Sequence, residues 1–111
     1  MKTQTEFEKT LLKTVDDNLK DIFGETAATL IYSYLETDLS LKKEEIPENI
    51  AAFKTGLKKF LSTGACVIQR VILDRLYESY GLKWEEKENW KFEDYIDNLR
   101  RQLDQKQRRK T

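Results

Sequence analysis

Apolar residues recur along most of the chain at steps of three and four, the spacing of one helical face. Phe7, Leu11, Leu12, Val15, Leu19, Ile22 and Phe23 form one such stripe, with Glu6, Lys9, Lys13, Asp16, Asp17 and Lys20 opposite. They predict an amphipathic helix over about residues 5–23, closed by Gly24 as C-cap. A second helix follows over about 25–37. Ala27, Ala28, Leu30, Ile31, Tyr32, Tyr34 and Leu35 cover most of its circumference, and no charge falls between Glu25 and Glu36. A helix apolar nearly all round belongs at the centre of a fold.

Residues 38–46 read as a polar connector. Pro47 suits the first turn of a third helix, where its missing N–H costs nothing. That helix spans about 47–62, with Ile50, Phe53, Leu57, Phe60 and Leu61 on its stripe. Gly56 inside it weakens it by about 1 kcal/mol relative to alanine and is a place for close helix contact. Gly64 breaks the chain, and a second central helix covers about 65–80, ended by Gly81. Residues 82–91 read as an irregular loop or short hairpin turning at 87–89. Phe92, Tyr95, Ile96, Leu99 and Leu103 begin a fifth helix, and beyond Leu103 no apolar residue remains, so the end should fray.

The predicted fold class is all-α, a compact bundle of about five helices, with two central apolar helices (25–37 and 65–80) and three amphipathic ones around them. A single helical domain is expected over 1–99, followed by a basic, frayed tail over 100–111. The first and third helices align at an offset of 38 (Val15 on Phe53, Leu19 on Leu57, Ile22 on Phe60) and the second and fourth at 41 (Ile31 on Ile72, Leu35 on Leu76). Two stacked helical hairpins closed by the last helix would produce that alignment, and so would any amphipathic helices slid freely.

Composition narrows the function. The chain has 111 residues, one domain's worth, with 36% charged and 39% apolar residues. Its formal charge is zero, yet residues 100–111 carry six bases against one acid, leaving the rest acidic. Cys66 is alone, which excludes an intrachain disulfide and fits a reducing compartment. No signal peptide is visible, and the least charged stretches, 26–35 and 60–69, are too short to span a bilayer. A cytoplasmic protein without membrane attachment is expected.

Catalysis has little to stand on. There is no histidine, no phosphate-cradling glycine loop and no zinc ligand set, so no enzyme activity, metal or cofactor is expected. Asp16, Asp17 and Asp21 cluster on the first helix, where a solvated face with Lys13 and Lys20 explains them better than a cation does. Glu44, Glu45 and Glu48 suit the positive end of the third helix. Cys66 near a helix start is either a reactive thiol or a small buried apolar side chain, and its neighbours Ala65, Val67 and Ile68 favour the latter.

Three groups remain as candidate sites. Tyr32, Tyr34, Tyr77 and Tyr80 lie on the central helices and would line either a pocket or the core's edge. Trp84 and Trp90 sit in a charged, non-periodic segment, as caps over the core or as partner contacts. Arg100, Arg101, Lys106, Arg108, Arg109 and Lys110 would contact phosphate or a partner, or stay solvated.

The segments FGETAATLIYSYLE, EEIPENIAAFKTGLKKFLSTGACVIQRVILDRLYESYGLKW and FEDYIDNLR together resemble a small archaeal family, the output domain named after Nitrosopumilus. The resemblance covers about residues 19–99 and is carried by Gly24, Leu35, Pro47, Phe53, Gly64, Ile72, Leu76, Tyr77, Gly81, Phe92 and Tyr95. Thr63 stands where an aromatic residue is expected, and the basic tail is additional. The resemblance implies a helical domain with a signalling or interaction role and brings no catalytic residues. The expected function is therefore a non-catalytic protein-interaction or signalling-output module, binding another protein or a second copy of itself. The alternatives are an accessory nucleic-acid binder using the tail, and a sensor holding an apolar ligand between the central helices.

Overall fold

The structure, a computed structural model, describes residues 5–108, with side chains through Leu103. Helix α1 (Glu6–Leu39) starts at a reciprocal cap. The Thr5 hydroxyl accepts from the Glu8 N–H at 3.2 Å, and the Glu8 carboxylate accepts from the Thr5 N–H at 3.0 Å. Phe7, Leu11, Val15 and Leu19 are buried, as their stripe requires.

Gly24 interrupts α1 with φ 86° and ψ 165°, a conformation open to glycine and strained for other residues. The interruption is a fold-back. The Tyr32 hydroxyl donates to Asp16 Oδ1 at 2.8 Å, whereas sixteen residues of straight helix would hold them about 24 Å apart. The two helices expected on either side of Gly24 are thus two arms of one hairpin, with no loop between them. The second arm ends at Ser40, itself left-handed at φ 53°.

A 3₁₀ helix (Lys43–Glu48) follows, with Pro47 inside it. The connector reading is corrected here. Leu41 and Ile46 are 3% and 0% exposed and belong to the core, and Pro47 sits in this short turn rather than opening the next helix. Helix α2 (Ile50–Leu61) buries Ile50, Phe53 and Leu57, with Gly56 facing Leu35 and Leu39 of α1. Ser62 turns the chain at φ 52° into α3 (Gly64–Glu78), which buries Ile68, Ile72, Leu73, Leu76 and Tyr77.

The two hairpins share a burial register. Val15 and Phe53, Leu19 and Leu57, Ile31 and Ile72, and Leu35 and Leu76 are buried pairwise, while Ile22 and Phe60 are each 44% exposed. Gly24 and Ser62, the positive-φ hinges, are also 38 residues apart. The apolar helices are not covered all round: Leu30 and Val67, at 60% and 61%, face outward.

Helix α4 (Phe92–Arg108) closes the bundle through Phe92, Tyr95, Ile96 and Leu99. It continues past Leu99 as far as Arg108. The chain is all-α, and among the described residues there is no strand. The hairpin reading of 82–91 is therefore corrected. Asn89 at φ 68° makes a tight turn, and the segment is pinned by a side chain instead of a partner strand. The Tyr95 hydroxyl accepts from the Lys87 N–H at 2.6 Å and donates to the Lys87 carbonyl at 3.1 Å. Among the described residues no helix is long and apolar enough to cross a membrane.

Candidate functional site

Among the described residues the four tyrosines have separate partners. Tyr32 reaches Asp16. The Tyr34 ring lies 5.1 Å from Phe60, the Tyr77 hydroxyl donates to the Tyr95 carbonyl at 2.8 Å, and the Tyr80 ring stacks on Phe7 at 6.2 Å. Burial pushes the Tyr77 phenol up, and burial with the Asp16 carboxylate pushes Tyr32 up further, so both stay neutral donors.

Asp16 ties three segments together. Burial alone would raise its pKa, but hydrogen bonds from Lys20, Lys43 and Tyr32 outweigh that and hold it at about 2. Lys20 Nζ stands 2.9 Å away and Lys43 Nζ 3.0 Å away. The carboxylate therefore joins both arms of α1 to the 3₁₀ turn and stays ionised at neutral pH. Asp17 pairs with Lys13 at 2.6 Å, as expected of a solvated face.

The basic residues are divided by the fold. Arg100 Nη2 donates to the Pro47 carbonyl at 3.2 Å, and its guanidinium lies 5.2 Å from the Phe7 ring centroid. Its fork and plane are thus engaged inside the domain, holding α4 to the 3₁₀ turn and the start of α1. Arg101 is exposed, beside Glu88, Asp94 and Asp97. Lys106 and Arg108 lie on the α4 backbone beyond the last described side chain. Arg109 and Lys110 lie outside the described residues.

The tryptophans converge. Their rings flank Tyr95, Trp84 edge-on at 5.6 Å and Trp90 tilted at 5.2 Å. Trp84 is half-buried, a cap over the core. Trp90 is 36% exposed, with Lys87 Nζ 4.6 Å from its ring centroid. It stands between two adjoining cavities that share Cys66, Gln69, Trp90 and Phe92. The larger, about 610 Å³, is bounded further by Lys54, Lys58, Ser62, Thr63, Ala65 and Lys91. The smaller, about 200 Å³, extends to Arg70, Trp84, Glu86 and Tyr95. Together they form a groove between the α2–α3 turn and the segment leading into α4.

Three features give the groove its character. Cys66 is exposed at its centre, which corrects the reading of a buried thiol. The residue falls to one side of the Ile68–Ile72–Leu76 stripe, and apolar neighbours in sequence misplaced it. Second, α3 begins there without help: Thr63 makes no side-chain cap and no acid lies in the first turn. Third, the larger cavity is lined by three lysines and no carboxylate. Lys54 is paired with Glu93 at 3.0 Å, while Lys58 and Lys91 have no side-chain partner among the described residues. Among the described residues no group of three or more potential metal ligands assembles. The groove offers an aromatic wall, positive charge and one thiol, suited to binding.

The chain matches no protein-family model, no curated protein and no solved structure.

Proposed function

We propose that this chain is a non-catalytic protein-interaction module, of the signalling-output kind that the archaeal family resemblance implies, and that it meets its partner at the groove beside Trp90. The observation that carries this reading is the exposure of Trp90 between two cavities, on a ring cluster that Tyr95 holds in place. A large rigid ring at the mouth of a cleft is the usual anchor of a partner. Trp84, mostly turned inward, acts as its support.

Cys66, the chain's one cysteine, gives a direct test. A photo-crosslinker on Cys66 should join the domain to a defined partner in its own cells. The same label at position 33, an exposed helical position, in a chain carrying Ser33→Cys with Cys66→Ser should not. Trp90→Ala should abolish the adduct while the helical spectrum stays. Equal adducts from both positions, or none from position 66, would count against the groove as the interaction face.

A further inference from the structure

We infer that the groove takes an acidic peptide segment, its carboxylates against Lys58 and Lys91 and an apolar side chain against Trp90. This rests on the groove being the interaction face and adds the chemistry of what enters it. The charge pattern argues it. The acids of the neighbouring ion pairs, Glu93 with Lys54 and Glu86 with Arg70 at 2.7 Å, already hold the flanking bases. Lys58 and Lys91 are left over, one on α2 and one on the segment leading into α4, at a cavity that includes no carboxylate. The start of α3, with no side-chain cap and no acid in its first turn, borders the same cavity through Thr63, Ala65 and Cys66, a favourable place for negative charge.

The surroundings limit how far that charge extends. From Glu85 to Asp97 the sequence holds six acids and two lysines, and beyond Trp90 the surface turns to Glu88, Asp94 and Asp97. A nucleic acid strand has a phosphate at every step and needs a continuous basic track. Here it would leave a short positive cavity for an acidic rim. A peptide that clusters two or three acids around one apolar anchor matches the patch and its edges, and a cleft of about 610 Å³ accommodates such a short segment.

The test is a selection of random dodecapeptides on the immobilised full chain, followed by affinity measurements on the winners and on a single-stranded DNA oligomer. Enrichment of Asp and Glu beside an aromatic or aliphatic residue is expected. Binding should drop about tenfold in K58E/K91E, in line with two exposed charge pairs, and weaken as salt rises. Lys58→Gln with Lys91→Gln provides a gentler pair should the reversal disturb folding. Winners of neutral or basic composition that still require Trp90 would overturn the acidic assignment and leave the groove as the interaction face. Winners indifferent to both Trp90→Ala and K58E/K91E would overturn both. Tighter binding of the oligomer than of any peptide, lost in K58E/K91E, would also overturn the proposal.

Discussion

Gly56 marks the closest approach of α2 to the second arm of α1, and alanine there sets two effects against each other. In an open helix the change would stabilise by about 1 kcal/mol. Here the added Cβ would stand 2.2 Å from Leu35 Cδ2 and 2.9 Å from Leu39 Cδ1, against an optimum of about 3.5–4.0 Å for carbon pairs. Leu35 is 1% exposed, so its chain end has no free space to enter. Forcing it aside costs about 1–3 kcal/mol, the usual penalty for an extra methyl in a packed core. Crowding outweighs propensity, and Gly56→Ala should lose about 1 kcal/mol net, lowering Tm by about 4 °C. Urea and thermal melts followed by circular dichroism would measure it. In a Leu35→Val background, where the side chain is shorter, the same substitution should become neutral or stabilising, a coupling readable from the double-mutant cycle. A Gly56→Ala protein more stable than wild type would show that helix propensity alone operates there and that the close approach is wrong.

The remaining predictions concern polar groups. Asn18 is 0% exposed, and neither its Nδ2 nor its Oδ1 has a hydrogen-bond partner among the described residues; Asn18→Leu should raise stability by about 1–2 kcal/mol in urea melts, and a loss would refute the reading. Asp16, held at about 2 against an ordinary 3.8, should contribute on the order of 1 kcal/mol after solvent screening. Because the folded pKa is the lower one, that contribution is full above about pH 4 and fades as pH falls through about 2, so Asp16→Asn should destabilise at pH 7 and scarcely at pH 2. Arg100→Ala should cost about 1 kcal/mol through the Pro47 bond and the Phe7 contact, while Arg101→Ala, on the exposed face, should leave the melt unchanged; equal effects would contradict the division between them.

The fold was legible wherever apolar spacing was regular. The stripes of the first, third and fifth helices supply the buried faces of the first arm of α1, of α2 and of α4, except that Ile22 and Phe60 at their ends are exposed; Gly24 stands at the expected break, and Gly64 opens α3 after the turn at Ser62. Harder to see was burial outside a periodic run. Leu41 and Ile46 are core residues in a segment that looks polar, because a 3₁₀ turn repeats every three residues and is too short to show a period. Asn18 was masked because an amide within a helix reads as surface. The groove was half legible: two tryptophans in a charged segment flagged the place. Cys66 and Lys58 join them only through the α2–α3 turn and Tyr95, contacts distant in sequence. Arg100's contacts with Phe7 and Pro47 were hidden because those residues are far from it in sequence, where charge density describes only the end of the chain.

Amide NMR of the labelled chain, titrated with a peptide selected on it, addresses the central claim most directly. Shift changes should gather over residues 58–70 and 84–92, with the Cys66 thiol reacting more slowly with a maleimide as the groove fills. Changes gathered instead around Ile22 and Leu30, exposed apolar side chains of α1, with Cys66 reacting as before, would contradict it.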